Sequence, residues 1–152
     1  ARQVVVVGSG RSSLKMERRF VTSRVDEAAS LLATEGRDAA FQAINDQGGR
    51  FNFLGSYVFV LDEKGETLVD PSFPNMPGRN LSGMTDSVGR KYIRELLTKI
   101  AHSDTASTMF FWRPHPNDVA QRKAIYARKV SVDGTAYIVG AEYLLPTPLW
   151  MK

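Results

Sequence analysis

The stretch SYVFVLDEKGETLVD, residues 56–70, constrains the fold more than any other part of the sequence. Its first half alternates two sets of apolar side chains: Tyr57, Phe59 and Leu61 in one set, Val58 and Val60 in the other. Successive side chains of a strand point to opposite faces, so both faces of this strand are apolar. EKG then joins it to ETLVD in a hairpin, with Gly65 where a positive φ is needed. We therefore expect a central strand in a sheet that is covered on both sides.

Three segments carry the periodicity of amphipathic helices. The first runs from Ser12 or Ser13 to about Thr34 and ends at Gly36, which tolerates a left-handed conformation. A short second helix is expected over 38–46. The third is expected over 88–102, with Asp86 or Ser87 as its cap.

Strands close the chain over 107–113, 123–132 and 135–145. Asp133-Gly134 joins the last two and is a strong signal for a tight hairpin. Two helices, a hairpin, a third helix and an antiparallel meander therefore follow one another in sequence. This order predicts an α+β fold with a five-stranded, mainly antiparallel sheet, and not alternating βαβ units.

The segment between the hairpin and the third helix, PSFPNMPGRNLSGM (71–84), has three prolines and two glycines. It also carries several apolar side chains. Such a composition predicts a long irregular loop, and loops of this length in a compact domain often carry function.

VVVVGSGRSS, residues 4–13, has the form of a strand entering a dinucleotide-binding turn. The third glycine of that motif is replaced by Ser13, and the acid expected about 20 residues further on would fall near Glu35, inside helical sequence. No strand follows until Ser56, so a parallel partner is missing. The sequence therefore argues against a nucleotide cofactor and against an oxidoreductase.

The basic residues are concentrated at one end of the chain. Residues 1–24 contain six Lys or Arg and one Glu, a net charge of +5, whereas residues 25–152 contain 14 basic and 15 acidic side chains. A nucleic-acid-binding domain should carry its basic surface on the folded body. We therefore expect no nucleic-acid partner.

Metal and nucleophilic sites also lack support in the composition. The chain has no cysteine, which excludes disulfides, thiolate metal ligands and a cysteine nucleophile. Its two histidines, His102 and His115, form neither a ligand cluster nor a triad with a serine and a suitably spaced acid. We expect no metal, no cofactor and no enzymatic activity.

Six segments in order, from Val21 to Leu145, resemble the single Cache sensor domains. They are INDQGGRF, GSYVFVLDEKGETLVDP, PGRNLSGMTDSVGRKYIRELL, FFWRPHP, RKAIYARKV and YIVGAEY. The resemblance implies a PAS-like five-stranded antiparallel sheet, a long N-terminal helix and a helix over a ligand pocket. On this basis residues 13–152 form one Cache-type domain, and residues 1–12 are a membrane-proximal lead-in or were added in cloning.

The resemblance also implies a function. Single Cache domains are the extracytoplasmic sensing parts of inner-membrane receptors such as chemoreceptors and histidine kinases, and many bind acetate, propionate or pyruvate. We therefore expect a periplasmic sensor, tethered to the membrane in the full-length protein, that binds a small organic acid. A homodimer through the N-terminal helix is a further expectation. The alternative is a PAS-like interaction or dimerisation module with no physiological ligand, its pocket filled by its own side chains.

The expected ligand-binding residues are Lys123, Tyr57, Trp112, Asp70, Phe59 and Tyr126. Lys123 matches the family's lysine and would pair with the ligand carboxylate, unless it is only an exposed lysine at a strand end. Tyr57 would offer a hydroxyl, or belong to the core; Phe59 lies on the same face of its strand, and Trp112 would form a wall or the rim. Tyr126 matches a family position, but it lies three residues from Lys123, so a regular strand would point the two to opposite faces.

Two positions depart from the family pattern. Asp70 stands where many members have histidine before the proline, and Glu142 where many have a small residue. An acid beside an anion site repels the ligand unless it is protonated or paired, for example with Lys123 or Arg79. Asp70 would otherwise select an ammonium or hydroxyl group, or cap amides of the loop, and Glu142 would otherwise face solvent.

Overall fold

The computed structural model describes residues 10–53 and 55–146, with side chains from residue 17 onward. The helices are α1 (Gly10–Glu35), α2 (Arg37–Asn45) and α3 (Tyr92–Ile100). The strands are β1 (Asn52–Phe53), β2 (Ser56–Tyr57), β3 (Phe59–Asp62), β4 (Thr67–Val69), β5 (Thr105–Trp112), β6 (Gln121–Val132) and β7 (Thr135–Leu144). Of the expected lead-in, residues 1–9 lie outside the described part, and residues 10–12 belong to α1.

The main sheet has five strands in the order β4-β3-β7-β6-β5, and every neighbouring pair is antiparallel. The predicted α+β class and five-stranded antiparallel sheet are confirmed. Asp133 and Gly134 have φ values of 51° and 81°, as a type I′ turn requires, so the hairpin expected there is also confirmed. β3 lies between β4 and β7 rather than at an edge, which fits its two apolar faces.

One face of the sheet is covered by α1 and α2. α1 packs on β6 and β7, and its side chains Val21, Val25 and Leu32 are completely or almost completely buried. Gly36 ends the helix with φ 87°, and its N–H donates to the carbonyl of Leu32 at 3.1 Å, which is the stop expected from the sequence. Val58 and Val60 of the hairpin segment join this core.

The opposite face carries a second apolar core under α3. Phe59 and Leu61 pack there with the apolar stripe of α3, and the rings of Tyr92 and Phe110 stack with centroids 4.3 Å apart. α3 packs mainly on β5 and β6, and the loop that precedes it runs along β4 through backbone hydrogen bonds to Gly65 and Thr67. Both faces of the β3 segment are therefore covered, as its alternating pattern predicts.

Two local expectations were wrong. The third helix begins at Tyr92 and not at residue 88, because the Asp86 carboxylate binds the N–H groups of Val88 and Arg90 and holds that segment as a turn. Its other oxygen accepts the N–H of Phe111 at 2.9 Å, which ties the loop to β5. The strand expected over 56–62 is also divided: β2 pairs with β1 in a separate two-stranded sheet, and β3 joins the main one.

Candidate functional site

A cavity of about 660 Å³ lies between the α3-side face of the sheet and the loop that follows β4. Its floor comes from β3, β6 and β7, and its sides from α3 and the loop. The aromatic residues that line it are Tyr57, Phe59, Phe73, Tyr92, Phe110, Trp112 and Tyr143. Apolar walls with a few polar groups are typical of small-molecule sites, and this volume is within their usual range.

A glycine in β7 shapes the floor of the cavity. Gly140 lies opposite Phe59 in the antiparallel register, and a Cβ there would meet the Phe59 ring at 2.9 Å and the carbonyl oxygen of Tyr126 at 3.2 Å. The missing side chain therefore lets the Phe59 ring lie directly over the β7 backbone. A glycine inside a strand often marks such a close approach.

Lys123 is the only cationic side chain among the described residues that line the cavity. Its Nζ donates a hydrogen bond to Oε1 of Glu142 at 3.0 Å and lies 4.5 Å from the ring centroid of Trp112. The side chain is 20% exposed, so it is neither a free surface lysine nor fully buried. An ammonium group has three N–H donors, so Glu142 leaves two for a ligand.

Asp70 is buried at the end of β4, with only 8% of its surface exposed. Its Oδ1 accepts the N–H groups of Ser72 at 3.1 Å and Phe73 at 3.0 Å, so the carboxylate caps the start of the loop. Burial raises the pKa of Asp70, and these two hydrogen bonds and Tyr57 only partly offset that effect. Within the described residues no ion pair joins Asp70 to Lys123 or Arg79.

Two tyrosines add hydroxyl groups to the cavity. Burial raises the pKa of both Tyr57 and Tyr92, and the negative charge of nearby carboxylates adds to the effect: Asp70 and Glu142 for Tyr57, Glu142 and Asp86 for Tyr92. Both groups therefore remain neutral phenols that can donate a hydrogen bond at physiological pH.

A bulge in β4 brings a further polar residue to the cavity. Val60 pairs with Val69 but Leu61 pairs with Thr67, so Leu68 is an extra residue in the ladder. Because of this shift, Thr67 and Asp70 both line the cavity although they are three residues apart. The Thr67 residue is 1% exposed, and its hydroxyl has no hydrogen-bond partner among the described residues.

Five of the six expected site residues line this cavity: Lys123, Tyr57, Trp112, Asp70 and Phe59. The structure does not bring Tyr126 to it. Its hydroxyl lies 2.8 Å from Oδ1 of Asp26 in α1, on the opposite face of the sheet, where Arg128 binds the same carboxylate oxygen. β6 is regular here, so the odd spacing from Lys123 separates the two faces.

The cavity residues that were not expected to belong to a site include Thr67, Tyr92 and Glu142. No sequence pattern points to Thr67, because only the bulge places its side chain on the same face of the sheet as Asp70. Tyr92 belongs to the apolar stripe of α3, a pattern that core residues share. Glu142 was expected to face solvent. It alternates along β7 with the buried Tyr143, however, and it lines the cavity.

The sequence matches the family model of single Cache domain 2 over residues 22–141, most of the chain. This chain belongs to that family. Cache domains are non-catalytic ligand-binding modules of sensor proteins, and the resemblance stated from the six sequence segments is confirmed. The comparison with curated protein sequences gave no match.

Solved structures share the fold of this Cache domain. A periplasmic sensor domain of a chemotaxis protein is 19% identical, with a TM-score of 0.64 over 89% of this chain and 96% of that one. A second structure describes carboxylic acid recognition by a Cache chemosensory domain. That domain is 14% identical, with a TM-score of 0.64 over 91% of this chain and 100% of that one. A methyl-accepting chemotaxis protein from Vibrio parahaemolyticus RIMD 2210633 is 16% identical, with a TM-score of 0.66 and coverages of 88% and 92%.

Neither a metal site nor a membrane span is found among the described residues of this Cache domain. No cluster of three or more His, Cys, Asp or Glu side chains suits a metal ion there. Likewise, none of its described helices combines the length and hydropathy of a membrane span.

Proposed function

We propose that this Cache domain is the extracytoplasmic sensor of a membrane receptor and that its cavity binds a small organic acid through Lys123. The observation that carries the proposal is the cavity itself, which is lined by aromatic side chains and has one ammonium group among its described lining residues. Glu142 and Trp112 hold that group in place, and two of its N–H donors remain for a carboxylate. The similar domain titled for carboxylic acid recognition supports this ligand class.

The alternative is an interaction module without a ligand, and it predicts a pocket filled by the protein's own side chains. The 660 Å³ cavity argues against it, since that space would hold about twenty waters at roughly 30 Å³ each. Acetate needs only a fraction of this volume. We therefore expect the ligand at or above the upper end of the C2–C4 size range.

The cavity also has a direct connection to α1. Glu17 of that helix lines the cavity beside Asn52 and Ser56, where the small β1–β2 sheet lies. A ligand that binds more tightly to one arrangement of this rim shifts the population of α1 positions accordingly. Because α1 is the element nearest the expected membrane attachment, this is the route by which we expect a signal to leave the domain.

A thermal-shift screen of ligand-free protein against C2–C6 mono-, hydroxy-, keto- and amino acids tests the proposal. A ligand that binds only the folded state adds about 2.7 kcal/mol at 100 times its Kd. We expect at least one member to stabilise the domain, and Lys123→Ala to weaken its binding more than tenfold. Lys129→Ala is the matched control, since Lys129 lies further along β6 and donates to the carbonyl of Ala101.

Two results would count against this assignment. Stabilisation by none of the acids would favour the ligand-free interaction module, and unchanged binding by Lys123→Ala would show that another group holds the carboxylate. Homodimerisation through α1 stays a prediction, to be tested by sedimentation of the purified domain with and without the bound acid.

A further inference from the structure

The lining of the cavity carries more negative than positive charge. Among its described residues, Glu17, Asp70 and Glu142 supply three carboxylates, and only Lys123 supplies an ammonium group. That ammonium is already paired with Glu142 at 3.0 Å. A simple carboxylate would therefore add a further negative charge to the site, whereas a ligand that also carries an ammonium group would add no net charge.

The buried end of the cavity at β4 offers acceptors for such a cation. Asp70 presents a carboxylate with no cationic partner among the described residues, and the Thr67 hydroxyl on the same face is buried without a hydrogen-bond partner. An unsatisfied buried polar group destabilises a fold, so it calls for an explanation. A donor-rich group placed between Thr67 and Asp70 would satisfy both of them.

The surrounding side chains suit the same chemistry. Tyr57 and Tyr92 stand beside the acidic groups, and neither becomes an anion at physiological pH. Aromatic faces attract ammonium groups, and Trp112 already holds the Lys123 ammonium in this way. Aromatic walls that surround carboxylate acceptors form a better environment for an ammonium group than for a second anion.

We propose that the cavity selects a zwitterionic ligand of the amino-acid class, with its carboxylate on Lys123 and its ammonium group between Asp70 and Thr67. This inference rests on the proposed function, because it keeps Lys123 as the carboxylate partner. It goes beyond that function in specifying the second charged group of the ligand and the residues that recognise it.

Skeleton-matched ligands test the inference directly. Titration calorimetry would compare each straight-chain C3–C6 acid with its 2-amino and terminal-amino derivatives, for example pentanoate, 2-aminopentanoate and 5-aminopentanoate. We expect one amino derivative to bind at least tenfold more tightly than its parent acid. If the parent acids bind as tightly or more tightly, the inference is wrong while the proposed function stands; if no member of the series binds, both fail.

Two variants assign the preference to its residues. Asp70→Asn keeps an oxygen that accepts the Ser72 and Phe73 amides, and it should reduce the preference for the amino derivative at least tenfold. Asp133→Asn removes the same charge from the β6–β7 turn and should leave the preference unchanged. If Asp70→Asn retains the full preference, Asp70 does not hold the ammonium group.

Thr67→Val distinguishes a role of Thr67 in ligand recognition from a purely structural role. It removes the unpartnered hydroxyl, so it should raise the Tm of the ligand-free domain and yet weaken binding of the amino derivative several-fold. Higher stability with unchanged binding would show that Thr67 is not part of the recognition site. Tighter binding of the parent acids at lower pH would instead identify Asp70 as a neutral hydrogen-bond donor, and it would overturn the zwitterion inference.

Discussion

The two faces of the sheet are covered in different ways. α1 has 26 residues and extends roughly 39 Å at 1.5 Å per residue, whereas α3 has nine residues and extends roughly 14 Å. The long helix buries a row of small and branched side chains against β6 and β7. The short one leaves space that an irregular loop encloses as a cavity. The face covered by a long helix thus has a filled core, and the face covered in part by an irregular loop has room for a ligand.

The largest expected effect comes from opening a hole in the filled face. Leu32 is completely buried under α1, so Leu32→Ala should lower the free energy of unfolding by about 3 kcal/mol. Urea denaturation monitored by circular dichroism measures this loss. Phe73→Ala is the comparison on the cavity side, and it should cost less than about 0.5 kcal/mol because that ring is 55% exposed. Equal losses would contradict the difference between the faces.

Overfilling the floor of the cavity should have the next largest effect. Gly140→Ala places a methyl group 2.9 Å from the Phe59 ring and 3.2 Å from a backbone oxygen, and it should cost about 2 kcal/mol. It should also displace Phe59 and weaken ligand binding. Gly83→Ala is the control, because a Cβ there meets nothing within 4 Å, and its Tm should stay the same or rise. If Gly140→Ala leaves the free energy of unfolding unchanged, the Phe59 ring can move aside without loss of stability.

The anchoring of the loop has a pH-dependent part. Burial alone would raise the pKa of Asp86, but hydrogen bonds from the Phe111, Arg90 and Val88 amides lower it overall. A carboxyl group whose pKa is lowered by folding stabilises the fold above its unfolded pKa, near 3.9, and loses that contribution as pH falls through the folded value. Asp86→Ala should therefore cost about 1 kcal/mol at pH 7, by analogy with loss of a helix cap, and less below pH 4.

Denaturation of wild type and Asp86→Ala at pH 7 and pH 3 measures this difference. Asp118→Ala, on the exposed β5–β6 loop, should change stability by less than about 0.5 kcal/mol at both values. A constant difference between wild type and Asp86→Ala across this range would show that the carboxylate does not anchor the loop.

The smallest effect is expected from Tyr126, the one predicted site residue on the filled face. Tyr126→Phe removes a hydroxyl bound to Asp26 at 2.8 Å, and it should cost no more than about 1 kcal/mol. The Kd of the bound acid or amino acid should change less than twofold, as measured by calorimetry. A tenfold loss of affinity would mean that the α1 face contributes to recognition after all.

Much of the fold could be predicted from the sequence, because its signals are local. Alternation around Phe59, the Asp133-Gly134 turn and the helical stop at Gly36 each fix a short segment without reference to the rest of the chain. The start of α3 could not be predicted, since Asp86 would suit the cap of a helix that begins at residue 88. Its carboxylate instead holds a turn and accepts the Phe111 amide, and α3 follows Lys91 without a side-chain cap. The two-stranded sheet of β1 and β2 also depends on tertiary contacts.

The site was predictable where side chains follow regular strand alternation or a family position. Lys123, Tyr57 and Trp112 reach the cavity in this way, and the same alternation correctly separated Tyr126 from Lys123. Thr67 was not predictable, because a bulge changes the face on which a residue lies and sequence alternation cannot show it. The pairing of Lys123 with Glu142 also joins two neighbouring strands, β6 and β7, and only their register reveals it.

The bulge in β4 has a consequence for how such sensors change their specificity. Leu68 is the extra residue that lets Thr67 and Asp70 share the cavity. In a version of the hairpin with an unshifted register, the same two side chains would point to opposite faces, and Asp70 would turn towards the filled core. The chemistry that a receptor recognises can thus change through a one-residue insertion or deletion in a hairpin, without the replacement of any lining side chain.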